Sequence, residues 1–137
     1  MTTPWGLFLL FLNLAFLFSA AIPTKNNTEN QATVYIINAL PPNSGSMQVS
    51  CSLANTSGVN HNLLVSEEYR WNVEAKRLYE CLASRDVSGR YYFRYFNAYQ
   101  PPRDKDHDKI FWLVTRDGFY LSWDKVKWVR KAEWDSE

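Results

Sequence analysis

Cys51 and Cys81 are the two cysteines of the chain, and thiols can form a disulfide, bind a metal or act as nucleophiles. No other cysteine or histidine lies at metal-ligand spacing around either of them. In an oxidising compartment, an even pair of this kind forms a disulfide by default. The sequence therefore predicts one structural disulfide, with two buried free thiols or an intermolecular link as the alternatives.

His61 and His107 are the two histidines, and a pair of histidines can cleave RNA by acid–base catalysis. They lie far apart in the sequence, both in predicted loops, and neither has a nearby group that would orient it. The favoured interpretation is two solvated loop histidines, and a two-histidine ribonuclease stays open as an alternative. No nucleophile elbow or phosphate-binding glycine loop is present, so we predict no catalytic residues.

Acidic residues alternate with other residues from position 104 to position 108, as they do at the start of a calcium-binding loop. The match fails because Lys109 stands where such a loop needs glycine and Thr115 stands where it needs glutamate. We predict no metal site, with a weak ion site as the lesser alternative. The segment is instead predicted to be an exposed, charged candidate recognition loop, formed by Arg103, Asp104, Lys105, Asp106, His107 and Asp108.

The first 21 residues carry no charged side chain and contain an apolar run from Leu7 to Phe18. This run is shorter than the ~20 residues that span a bilayer, and small residues follow it. The pattern predicts a secretory signal peptide (1–21) cleaved between Ala21 and Ile22, with an uncleaved anchor as the alternative. The mature protein is then extracellular, without stable membrane insertion.

In a secreted protein, N-x-Ser/Thr sequons are acceptor sites for N-glycosylation, and the chain has two of them, at Asn26 and Asn55. Both lie in polar sequence that favours turns. We therefore predict N-glycosylation at these two positions.

Composition limits the remaining function classes. The chain has 137 residues, of which 46% are hydrophobic and 16% aromatic, so it should fold as one domain. Its 15 basic and 14 acidic residues nearly cancel, which gives no bulk attraction to nucleic acid. We expect a monomer that needs no cofactor and binds no nucleic acid.

Short runs with strand periodicity begin after a polar leader, residues 22–32, that is predicted to be flexible. The run 47–53 alternates so that Cys51 falls on its apolar face, where a structural disulfide belongs. About seven to eight such strands and no long helix predict an all-β domain over 33–137, a compact antiparallel sandwich or barrel.

A hairpin over residues 110–123 is the strongest local pattern, because Asp117-Gly118 favours a two-residue turn. A turn at these two residues places Val114 opposite Leu121 and Trp112 opposite Trp123 on one core-facing side. One more strand is predicted within residues 125–134.

The order of these motifs resembles the plant self-incompatibility protein S1 family, the S-protein homologues. The resemblance runs from about Val34 to Trp134. It rests on the following series: YIINAL, MQVSCS, EYRWNV, LYECLAS, YYFRYFNAY with Arg103-Asp104 after it, and FWLVTRDGFYLS.

The resemblance implies a small secreted antiparallel β-sandwich held by disulfides. Some members of the family act in stigmas as ligands that halt the growth of self pollen, and they are not enzymes. Many relatives carry a second cysteine pair that this chain lacks, so their pairing is a poor guide to Cys51. The segment after Cys51 also lacks the acidic residues that relatives often have there.

We therefore predict a non-enzymatic ligand, secreted to the apoplast, that binds a cell-surface receptor through loops. The alternatives are a secreted enzyme or toxin, such as the two-histidine ribonuclease, and a secreted enzyme inhibitor.

Overall fold

The computed structural model describes residues 30–137. The predicted signal peptide with its cleavage site at Ala21 and Ile22, the sequon at Asn26 and residues 22–29 of the leader lie outside the described residues. Among the residues described, no helix has the length and apolar character needed to cross a membrane.

Two five-stranded sheets make up the described chain. The first sheet contains β1 (Gln31–Asn38), β4 (Glu68–Glu74), β7 (Lys109–Thr115), β8 (Gly118–Ser122) and β9 (Val129–Ala132), in the order β4-β1-β7-β8-β9. The second contains β2 (Met47–Leu53), β3 (Val59–Leu63), β5 (Tyr79–Val87), β6 (Arg90–Tyr99) and β10 (Asp135–Ser136), in the order β10-β6-β5-β2-β3. A single turn of helix, α1 (Pro101–Asp104), connects β6 to β7.

The strand pairs are antiparallel except for β1 and β7, which run parallel side by side. The predicted all-β sandwich is therefore confirmed, with ten strands where about seven to eight were expected. The two additional strands are short: β3 has five residues in a segment predicted to be a loop, and β10 has two.

The core lies between the two sheets and takes alternate side chains from each strand. In β1, Ala32, Val34 and Ile36 are buried and the residues between them are more exposed. Across the interior, the ring of Phe96 from β6 lies 4.8 Å from that of Trp112 in β7. β1 begins at Gln31, two residues before the predicted start of the domain, so residues 31 and 32 belong to this strand and not to the predicted leader.

The disulfide between Cys51 and Cys81 is confirmed. The two residues lie directly opposite each other on the neighbouring strands β2 and β5. Cys81 is 1% exposed, and Cys51 packs against the same core from its strand. The bond thus ties two strands of the second sheet at their buried face.

The hairpin formed by β7 and β8 is present, but its predicted register is wrong by two residues. Arg116 and Asp117 form the turn, so Thr115 lies opposite Gly118 and Trp112 lies opposite Leu121. Gly118 is the first residue of β8, and glycine is required there because a Cβ would lie 2.4 Å from the carbonyl oxygen of Ala132 in β9.

A shift by two residues preserves the side of the sheet to which each side chain points. The core-facing side chains are therefore the predicted ones. Trp123, in contrast, lies beyond the end of β8 and is 39% exposed, so the predicted Trp112–Trp123 pair does not form.

The single strand predicted within residues 125–134 is also corrected. Residues 123–127 are bent, β9 then joins the first sheet, and the chain crosses to the second sheet as β10. The crossing is held by Trp134, whose indole nitrogen donates a hydrogen bond to the carbonyl of Thr115 at 2.9 Å.

Candidate functional site

Two loops lie together beside the first sheet, and we call their exposed residues the recognition surface. The first loop comprises α1 and residues 105–108, and the second comprises residues 123–128. The first loop begins as a helical turn because Pro101 and Pro102 occupy its first positions, where proline fits best. The backbone amides of Arg103 and Asp104 both bond to the carbonyl of Gln100.

The carboxylate of Asp104 organises both loops. It is completely buried and accepts four hydrogen bonds. Its Oδ2 accepts from the Gln100 amide at 2.9 Å and from Arg103 Nη2 at 2.6 Å. Its Oδ1 accepts from Arg103 Nε at 2.9 Å and from Trp123 Nε1 at 3.0 Å. The prediction of a fully exposed loop is therefore wrong for Asp104, which joins one loop to the other.

Arg103 is also mostly buried, with 18% of its side chain exposed. Its Nη2 donates to the carbonyl of Asn97 at 2.9 Å, and its guanidinium carbon lies 5.3 Å from the centre of the Trp112 ring. Arg103 thus fixes the loop to the core instead of facing a partner. The sequence Pro-Pro-Arg-Asp, with proline and an acid in the first turn, was the pattern that could have indicated this helical anchor.

The tip of the first loop remains exposed, as predicted. Lys105, Asp106 and Asp108 are exposed, and His107 is half-buried. The imidazole of His107 stacks on the indole of Trp123, with ring centres 4.1 Å apart and planes within 5° of parallel. This stacking is a second contact between the loops.

Asp124 shapes the second loop, which was not among the predicted site residues. Its Oδ1 accepts hydrogen bonds from Ser122 Oγ and from the backbone amides of Val126 and Lys127, at 2.8–3.0 Å. The spacing of Ser122 and Asp124 is typical of turns in which a side chain caps the backbone, and it could have indicated this loop. The turn leaves Val126 77% exposed.

Acid is expected to loosen this second loop. The three hydrogen bonds favour the charged carboxylate, so the pKa of Asp124 lies below its ordinary value of about 3.9. The resulting stabilisation is fully present above the ordinary pKa and is lost as the pH falls through the lowered pKa. The protection of the Val126 and Lys127 amides against hydrogen exchange, measured relative to the intrinsic exchange rate at each pH, should therefore fall in that acidic range. The variant Asp124→Asn should show no such step, and a step of equal size in both proteins would contradict this explanation.

Comparison with known proteins places this fold in a family. The family model of the plant self-incompatibility protein S1 matches residues 33–134. The chain belongs to the plant self-incompatibility protein S1 family. The predicted resemblance is thereby confirmed. Among curated protein sequences, no significant match to this S1-family chain was found.

A solved structure of SPH (self-incompatibility protein homologue) proteins is similar to this S1-family chain, with a TM-score of 0.57 and 18% identity. The match covers 77% of this chain and 95% of the other. The SPH proteins are described as a widespread family of small, highly stable, secreted proteins from plants. That description agrees with the extracellular location predicted from residues 1–21.

The two histidines of this S1-family chain lie in different parts of the sandwich. His61 is in strand β3, not in a loop as predicted, and stacks on Tyr69 of β4 at 4.0 Å. His107 stacks on Trp123 at the end of β8. Strands β4 and β8 are three strand spacings apart, roughly 14 Å, which exceeds the reach of two groups acting on one phosphate. This separation removes the geometric basis of the two-histidine ribonuclease.

The sequon at Asn55 lies in the turn between β2 and β3, where Asn55 is exposed and has a φ of 65°. Its glycosylation stays a prediction. Within residues 30–137, no group of three or more histidine, cysteine, aspartate or glutamate side chains is arranged to hold a metal ion.

Proposed function

We propose that this S1-family chain is an extracellular recognition protein of the self-incompatibility type. It binds a protein receptor on a plant cell surface, and it does so through the recognition surface rather than by catalysis. The partner-facing residues are Lys105, Asp106, Asp108 and Val126, with His107 and Trp123 stacked between them.

The observation that carries this proposal is the burial of Asp104 beneath two exposed loops. A binding loop loses conformational entropy when it is ordered by a partner, and this loss weakens binding. The four hydrogen bonds to Asp104 and the stacking of His107 on Trp123 order the loops before any partner arrives. The ordered recognition surface therefore loses little conformational entropy when it binds, which favours a partner of complementary shape.

The exposed side chains of the recognition surface suit a protein partner. Lys105 and Asp106 present opposite charges side by side, and Val126 exposes an apolar side chain in the same loop as Trp123. Interspersed charges around an apolar centre are typical of protein–protein interfaces, where the charges determine partner choice. An enzyme inhibitor would use the same chemistry against a soluble target.

Binding of the purified, oxidised protein to intact plant cells, including pollen, tests the proposal. We expect saturable binding that is lost after reduction and alkylation. The double variant Lys105→Glu with Val126→Asp should bind about tenfold more weakly or worse, because central interface residues carry most of the binding energy. Arg116→Glu is the matched control, because it reverses an exposed cation in the β7–β8 turn, at the other end of β7 from residues 105–108.

Two results would contradict the proposal. The first is unsaturable or absent binding on every cell type, in which case a stoichiometric complex with a soluble enzyme would favour the inhibitor. The second is equal binding by the double variant and the wild-type protein, which would place the binding site elsewhere on the molecule.

A further inference from the structure

The outward face of the second sheet carries a pattern that the recognition surface does not use. Because Met47, Val49, Cys81 and Ala83 point into the core, the residues that alternate with them point outward. The outward side chains are Gln48, Ser50 and Ser52 on β2, Glu80, Leu82, Ser84 and Asp86 on β5, and Tyr91, Phe93, Tyr95 and Asn97 on β6. This face thus combines uncharged polar groups with a row of aromatic rings.

The aromatic row runs along β6. The rings of Tyr91 and Phe93 lie 5.6 Å apart between centres with nearly parallel planes, and Tyr95 follows Phe93 at 6.4 Å with its ring turned by 75°. Tyr95 is 65% exposed, although a ring of this size is normally covered. Exposed aromatic surface of this kind commonly marks a binding site.

A polar groove of about 390 Å³ begins beside Tyr91. Its walls include Gln48, Asn60, Ser84 and Asp86, which supply amide, hydroxyl and carboxylate groups. These side chains offer both hydrogen-bond donors and acceptors. Arg85 and Asp86 are the charged residues that line the groove, but the guanidinium of Arg85 lies 5.9 Å from the Trp134 ring on the inward side of the strand, so Asp86 supplies the charge that faces the groove.

We propose that this groove and the aromatic row form a binding site for a neutral oligosaccharide. A pyranose ring has an apolar C–H face that packs on an aromatic ring and a rim of hydroxyl groups that both donate and accept hydrogen bonds. Tyr95 and Tyr91 provide the first kind of contact, and Gln48, Ser84 and Asp86 provide the second. A groove whose outward-facing charge is a carboxylate, without an excess of cations, repels a uronate polymer and so favours an uncharged glycan.

The site is separate from the recognition surface. Tyr91 lies at the start of β6, whereas α1 follows the end of that strand at Tyr99. Eight residues of extended strand place Tyr91 and the groove roughly 25 Å from α1, and four residues place Tyr95 roughly 13 Å from it. Asn55 also lies away from the groove, because it follows the end of β2 whereas Gln48 is near its start. A glycan on Asn55 would therefore leave the groove open.

Titration of the purified, oxidised protein with cellohexaose and with a xyloglucan heptasaccharide tests this site. We expect saturable binding of at least one of these neutral glucans and none of polygalacturonate, an anionic polymer. Tyr95→Ala should weaken binding about tenfold, whereas Tyr95→Phe, which keeps the ring, should retain it. Asp86→Ala should also weaken binding, because it removes a hydrogen-bonding carboxylate from the groove and leaves the aromatic row intact. Val129→Ala removes an exposed apolar side chain from β9 of the first sheet and is the control, which should bind the glucan as the wild-type protein does.

Thermal unfolding of each variant shows whether its fold is intact, and Tyr95 is exposed enough for its removal to be tolerated. The proposal is overturned if neither neutral glucan binds at millimolar concentration, if only polygalacturonate binds, or if Tyr95→Ala binds as tightly as the wild type. It is equally overturned if sedimentation shows that the aromatic row joins two copies of the chain, with Tyr95→Ala abolishing the dimer.

Discussion

Replacing Asp104 with alanine is expected to lower the free energy of unfolding by about 3–5 kcal/mol, because removing one partner from a buried ion pair leaves the other uncompensated. The substitution would leave Arg103, the amide of Gln100 and the indole N–H of Trp123 without their shared acceptor. Urea denaturation of both proteins measures the difference. The NMR signal of the Trp123 indole N–H should also move toward its solvent-exposed position.

Asp106→Ala is the matched control, since it removes an exposed carboxylate two positions away in the same loop. Exposed substitutions of this kind change stability by at most about 0.5 kcal/mol. If the variants at positions 104 and 106 unfold at the same urea concentration, then Asp104 does not hold the loops together and the ordering argument for the recognition surface fails.

Removal of the disulfide between Cys51 and Cys81 is expected to cause the second large loss of stability. The bond closes a loop with a sequence separation of 30, for which the chain-entropy model gives roughly 3–4 kcal/mol of stabilisation. The double variant Cys51→Ala with Cys81→Ala should therefore lose about this much stability in guanidinium denaturation. In a domain of this size, that loss is a large part of the total.

Reduction of the wild-type protein provides an independent measure of the same bond. Dithiothreitol should bring the wild-type protein close to the double variant and should leave the double variant unchanged. A wild-type unfolding curve that does not respond to the reductant, under conditions where mass spectrometry shows free thiols, would rule out a stabilising role for the bond.

The general architecture could be predicted from periodicity, because alternation in β1 and β2 specifies which side chains face the core. The hairpin register could not, because two turns of equal length fit the sequence Thr115-Arg116-Asp117-Gly118. The close approach of β9 to Gly118 decides between them, and this contact depends on residues fourteen positions later. Since the two registers bury the same side chains, hydrophobic pattern alone cannot separate them.

The candidate site was predicted only in part. The loop at 103–108 was identified from its charges, but alternating charges predict solvation for every member, including Asp104. Its burial depends on Trp123, which reaches it from the far end of the following hairpin. Contacts of this range leave no local pattern, so sequence could indicate the loop but not the residue that anchors it.

The parallel pairing of β1 with β7 has a consequence for how the chain is made. β1 is the first described strand to be synthesised, yet it lies at the centre of its sheet between β4 and β7. Thr33 must pair with Lys109, so β1 remains without one of its neighbours until about four fifths of the 137 residues have been synthesised. Pairings between such distant segments form slowly, and meanwhile the apolar face of β1 is open to other chains. The first sheet is therefore completed late, after most of the protein has been synthesised, and its assembly is the stage at which aggregation during export would be most acute.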